Sequence, residues 1–175
     1  MDSLIVSKSK EPRITSVDGG TFREVCGRFV TGVTVITCQG MDKDPVGLTV
    51  NSFTSVSMDP PLVLFCVHKE SRALAAVRAC GSFAVNILAS DQAGVCRDFA
   101  ARDSARFGEL PHRPGSTGSP VIDGALAFLD CRLHAMFSGG DHEVVLGEVV
   151  DLGLLREEPP LAFFRSAHPR LEAHA

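Results

Sequence analysis

Short polar side chains crowd one stretch of this sequence. Thr49, Asn51, Ser52, Thr54, Ser55 and Ser57 stand among Val50, Phe53 and Val56. Hydroxyls, an amide and the N–H groups of an extended backbone can satisfy a phosphate and the polar rim of a heterocycle without burying an unpaired charge. Read as one strand from Val46 to Ser57, the stretch puts Thr49, Phe53, Ser55 and Ser57 on one face. Val50, Ser52, Thr54 and Val56 fall on the other, so hydroxyls occupy both faces. A solvated edge strand would carry the same residues, and both readings stay open.

Two further points have the right chemistry. Ser71-Arg72 opens a segment with helical spacing, where free N–H groups, the helix dipole and a guanidinium all favour an anion. A plain N-cap followed by a surface Arg is the alternative. Gly139-Gly140-Asp141-His142 is a glycine turn that delivers an imidazole to the start of a strand. The glycines let a ligand approach the backbone, and Asp141 can orient and charge His142; a hydrogen-bonded bystander His would look the same.

The elements that must position these groups follow from periodicity. Residues 1 to 18 show no apolar period and read as an N-terminal arm, with one folded domain over 19 to 175. Phe22, Val25, Cys26 and Phe29 recur at helical spacing, with Thr21 as N-cap and an end by Gly32. Further helices are expected from Ser71 to Cys80, stopped by Gly81, and from Asp91 to Ala100. Strands are expected at Val33–Cys38, Val46–Ser57, Leu62–Val67, Phe83–Leu88, Ala125–Met136, Glu143–Leu155 and Leu161–Arg165. Leu62–Val67 is apolar throughout, as in a strand buried on both faces. Ala101–Pro120 reads as a long surface loop. Many strands with short helices among them, and no repeated β-α-β spacing, predict a mainly β, α+β barrel. No G-x-G-x-x-G fingerprint is present, so a dinucleotide would have to be held without a Rossmann fold.

Composition narrows the class. Lys and Arg number 17 against 21 Asp and Glu, without a basic run, which argues against a nucleic-acid partner. The longest apolar run, Leu62 to Val67, is far short of the roughly 20 residues that span a bilayer. Met1-Asp2-Ser3-Leu4-Ile5-Val6 lacks the basic start and apolar centre of a secretory signal, so a cytoplasmic location is expected. The six cysteines form no C-x-x-C pair; they are read as reduced core thiols, with no metal site.

Taken together, Phe22 through Gly32-Val33-Thr34-Val35-Ile36-Thr37, then Gly47 to Ser57 with Pro60-Pro61-Leu62, resemble the short-chain flavin reductases of two-component flavin-dependent monooxygenases. Gly81 to Leu88 and Gly140 to Val149 are similar to later blocks of that family, so the resemblance covers about Thr21 to Arg165. It implies an FMN-binding split β-barrel, a homodimer, and reduction of FMN or FAD by NADH or NADPH, with the reduced flavin passed to a partner monooxygenase. It also implies that Thr31, Gly32, Val33, Thr34, Thr49, Val50, Asn51, Ser52, Ser55, Val56 and Ser57 contact flavin. Ser71 and Arg72 would assist at the phosphate, and Phe83 and Asn86 would line the same region. Gly140, Asp141 and His142 match the family's glycine-aspartate-histidine turn, which implies that His142 meets the nicotinamide. Arg106-Phe107 resembles a basic-aromatic pair beside the flavin. The chain has no Tyr or Trp, whereas relatives often carry Tyr where Phe163-Phe164-Arg165 stands; stacking through Phe164 survives and a phenol hydrogen bond does not. Two alternatives remain at this stage: a barrel that retains its flavin and acts directly on an organic substrate, and a flavin-binding module without catalysis.

Overall fold

The computed structural model describes residues 17–171 except 41, 43, 101–106 and 108–109. Most of the expected arm, and with it Arg106, lies outside the described residues.

Helix α1 (Gly19–Cys26) is capped by Asp18, whose carboxylate accepts from the Thr21 N–H at 2.8 Å and its hydroxyl at 3.0 Å. The cap expected at Thr21 therefore sits three residues earlier, and the helix is over well before Gly32. Its apolar residues Phe22 and Val25, and Phe29 just beyond it, are exposed among the described residues.

Strands β1 (Thr31–Gly32), β2 (Thr34–Gln39) and β3 (Pro45–Val50) follow. The run expected to continue from β3 to Ser57 breaks instead. Asn51–Phe53 carries the chain across a gap, and β4 (Thr54–Met58) is a separate strand. Next come β5 (Pro61–His68), α2 (Arg72–Cys80), β6 (Ser82–Ile87) and α3 (Ala93–Ala100). The β7 (His112–Pro114) and β8 (Pro120–Ile122) strands pair with each other, so the second half of the expected surface loop is a small hairpin. Its turn is held by the buried Asp130, which accepts from the Thr117 N–H and hydroxyl, both at 2.6 Å. The chain closes with β9 (Ala127–Gly139), β10 (His142–Leu154) and β11 (Ala162–Phe163), the last paired to β1.

The main sheet runs β3-β2-β6-β9-β10-β5-β4. Its two edges, β3 and β4, are consecutive in sequence and are not paired with each other, which makes it a barrel with a split. The split is bridged by one side chain. Ser52 Oγ accepts from the Cys66 N–H at 2.9 Å and donates to the Cys66 carbonyl at 3.2 Å, tying the crossing segment to β5.

Inside, Phe65 and Phe83 meet edge to face, centroids 5.1 Å apart, among Ile36, Val67, Val77 and Val145. Gly147 is required there, since a Cβ would lie 2.3 Å from the Phe83 ring. Asn86 is fully buried: its amide donates to the Val35 carbonyl and Thr37 Oγ1, and its carbonyl accepts from the Ile122 N–H. That one amide locks β2, β6 and β8 together. All six cysteines are free thiols, but Cys26 and Cys80 are exposed rather than in the core. Burial pushes the Cys38 and Cys131 thiols up to about 12.

Candidate functional site

Where β3 leaves the sheet, a cavity of about 1070 Å³ opens between β3, β5, the start of α2 and the end of α3. Thr49, Val50, Asn51 and Ser52 line one wall. Ser71 and Arg72 line another, and His142 reaches in from β10. Phe107 and Phe99 form an apolar part of the lining and stack edge to face, centroids 5.2 Å apart. The ring of Phe99 lies against Gly47, where a Cβ would come within 2.7 Å of it.

Part of the hydroxyl content is already engaged. Thr49 Oγ1 donates to the Cys96 carbonyl of α3 at 2.8 Å, and Ser52 holds the split. Ser71 occupies the N-cap position of α2 but makes no side-chain cap, and it lines the cavity together with Arg72 and Ala73 of that helix start.

The β9–β10 hairpin turns through two residues, Gly140 and Asp141, with Gly140 at φ 75°. A glycine first in a two-residue hairpin supplies the positive φ that matches strand twist. The turn delivers His142 to the cavity beside its own carboxylate: His142 Nδ1 lies 2.7 Å from Asp141 Oδ1. The hydrogen bond from His142 holds the Asp141 carboxyl below its ordinary range.

The remaining sequence candidates fall elsewhere. Thr31, Gly32, Val33 and Thr34 do not line the cavity: Thr31 and Gly32 form β1 against β11, while Thr34 pairs with Val50 and its Oγ1 donates to the Val50 carbonyl. Thr31 Oγ1 is buried without a partner. Ser55, Val56 and Ser57 belong to the edge strand β4 and do not line the cavity. The two readings of the hydroxyl stretch thus apply to its two halves, a cavity wall up to Ser52 and a solvated edge from Thr54 onward. Phe83 and Asn86 were expected to line the site, but both faces of β6 are covered: Phe83 is buried against Phe65 in the core, and Asn86 is buried in its hydrogen bonds to β2 and β8. Phe164 is half-buried beside β11 and outside the cavity lining. Sequence reasoning missed Gly47, Cys66, His68, Glu70 and Phe99, all of which line it. The adjacency of Gly47 to Thr49 and of His68 to Ser71 was the available signal.

A barrel split between consecutive strands, with a helix N-terminus and a hairpin-borne imidazole facing one cavity, defines a ligand-binding barrel of the split type. The sequence profile of the "Flavin reductase like domain" matches residues 26–172, and the chain belongs to that family. It is 43% identical over 157 residues to the flavin-dependent monooxygenase reductase subunit HsaB of Rhodococcus jostii, covering 90% of this chain and 80% of that one. It is 41% identical over 157 residues to a flavin reductase (NADH) of Kitasatospora aureofaciens, covering 88% and 82% of the two chains. The solved NADH:FAD oxidoreductase SgcE6 of Streptomyces globisporus, in complex with NAD and FAD fragments, superposes with a TM-score of 0.84 at 38% identity. That likeness covers 90% of this chain and 95% of SgcE6.

Proposed function

We propose that this protein is an NAD(P)H:flavin oxidoreductase that reduces FMN or FAD and releases the reduced flavin to a partner monooxygenase. The observation that carries the reading is the meeting in one cavity of Thr49–Ser52, the Ser71–Arg72 helix start and His142. The donor set fits a flavin and a nicotinamide nucleotide. It offers one helix N-terminus with a guanidinium for phosphate, neutral hydroxyl and amide groups for polar rims, and Phe99 and Phe107 for ring faces. The volume, about 1070 Å³, slightly exceeds the roughly 300–1,000 Å³ of single-ligand pockets, room for two stacked partners.

When bound, flavin supplies the hydride-accepting ring, and the nicotinamide supplies the hydride. The chain's own residues bind and orient. Ser71, Arg72 and the α2 N-terminus hold the flavin phosphate; Asn51 and the 49–52 backbone hold the ring edge; His142, set by Asp141, receives the nicotinamide. Thr34 supports that wall from behind through Val50. Orientation of this kind accounts for several kcal/mol of barrier lowering without an acid–base dyad. Phosphate recognition through few charges gives micromolar flavin affinity, on the order of 8 kcal/mol, which suits a flavin that must leave. The exposed apolar residues Phe22 and Val25 of α1, with Phe29 just beyond it, are assigned to a subunit contact in a homodimer, since apolar patches of this kind mark interfaces. Under this reading the protein works in the cytoplasm.

Catalytic amounts of protein mixed with NADH and excess free flavin test the reading. Continuous NADH oxidation that scales with free flavin supports it. Turnover that needs only protein-bound flavin and an organic substrate overturns it, as does a tightly coloured protein that NADH does not bleach.

A further inference from the structure

A second imidazole stands in the cavity. His68 ends β5 and lies directly opposite His142 in the strand register. Both line the cavity, and their rings meet edge to face with centroids 5.3 Å apart and planes at 80°.

The neighbours of each ring fix its proton. The Glu70 backbone N–H donates to His68 Nδ1 at 3.2 Å. A backbone N–H can only donate, so Nδ1 carries the lone pair and the neutral ring bears its proton on Nε2. His142 is set the other way. Its Nδ1 faces the Asp141 carboxylate, which can only accept, so the proton is on Nδ1 and Nε2 of the neutral ring is the acceptor. Adjacent strands therefore present one N–H donor and one nitrogen acceptor to the same cavity.

Resting on the reading of this cavity as the flavin and nicotinamide site, we propose that His68 is a second contact to the nicotinamide carboxamide. Nε2–H of His68 donates to the carboxamide oxygen, while Nε2 of His142 accepts from the carboxamide NH₂. A primary carboxamide carries a donor and an acceptor on one carbon, the complement of this opposed pair. The pyrimidine edge of a flavin carries similar groups and is the outcome the test must exclude.

His68→Ala, His68→Gln and His68→Phe are compared by calorimetric titration of NAD⁺ and of FMN and by steady-state kinetics with NADH. Loss of one neutral hydrogen bond predicts that His68→Ala raises the NADH KM and the NAD⁺ Kd about 3–10-fold, with kcat and the FMN Kd within about twofold. His68→Gln keeps an N–H donor and recovers most of the loss; His68→Phe keeps only the ring packing on His142 and does not. Reduced acetylpyridine adenine dinucleotide has a methyl group in place of the amide nitrogen. With it, His68→Ala keeps its penalty and His142→Ala loses its own. A His68→Phe variant equal to wild type, or equal effects of His68→Ala on FMN and NAD⁺, overturns the inference. An active wild type with an unaltered NADH KM in His68→Ala overturns it alone, whereas a wild type that never oxidises NADH with flavin removes the functional reading and this inference with it.

Discussion

Replacing Ser52 by Ala removes one oxygen that makes two hydrogen bonds across the split of the barrel. The oxygen accepts from Cys66 N–H at 2.9 Å and donates to Cys66 C=O at 3.2 Å, where no neighbouring strand reaches those groups. Each neutral hydrogen bond contributes about 0.5–1.5 kcal/mol net, so loss of both costs about 1–3 kcal/mol. Ser52 is half-buried and water recovers part of this, which sets the expectation near about 1–2 kcal/mol. For a chain of this size that lowers Tm by about 2–8 °C. The same bridge holds Asn51 and Val50 against the cavity, so flavin affinity falls with stability. Thermal unfolding followed by circular dichroism, with flavin titrated by its own fluorescence, reads both quantities. Ser52→Thr keeps the hydroxyl and stays near wild type in each. A Ser52→Ala protein that melts within about 1 °C of wild type and binds flavin equally well refutes the claim that this side chain closes the split.

Other consequences are as open to measurement. Gly47→Ala drives a methyl group into the buried Phe99 ring and to 3.1 Å from the Ile36 carbonyl. It costs about 1–3 kcal/mol and weakens flavin binding; urea unfolding and a flavin titration check it. The Asp91 carboxyl is held below its ordinary range by its hydrogen bonds from Arg156. A depressed carboxyl stabilises the fold above its unfolded pKa, near 3.8, and loses that stabilisation as pH falls through the folded value. Asp91→Asn is therefore less stable than wild type at neutral pH by under about 1 kcal/mol, and the gap closes in acid; denaturation at a series of pH values reads it. Thiol labelling of the native protein modifies Cys80 first and leaves Cys38 and Cys131 unmodified until unfolding. Cys26 labels in a monomer and is protected in a dimer that covers α1.

Much of the fold was legible because the apolar period is strong where strands are buried. The expected strands at Val33–Cys38, Leu62–Val67 and Phe83–Leu88 fall within a residue or two of β2, β5 and β6. Gly81 ends α2 with φ 67°, as a helix stop should. The hidden parts depend on tertiary pairing. Nothing in Thr49 to Ser57 marks the break at Asn51–Phe53, because the hydroxyl pattern continues through it while β3 and β4 go to opposite edges. Helix α1 was placed by an apolar stripe that stays exposed among the described residues, and its cap, Asp18, lay in the stretch read as an arm. Phe83 and Asn86 sit in a block that resembles the family's, yet the sheet turns them into the core. In the site, the polar residues were readable from type and spacing. The partners that shape it, Phe99 against Gly47 and His68 across from His142, meet only through folding.

Anaerobic rapid mixing of the protein with flavin and then with NADH, following flavin absorbance, tests the central claim most directly. The account predicts that bound flavin bleaches in a single turnover, that the rate saturates with NADH, and that reduced flavin is then released into solution. Flavin that binds the Thr49–Ser52 wall and stays oxidised in the presence of saturating NADH and NADPH would contradict it.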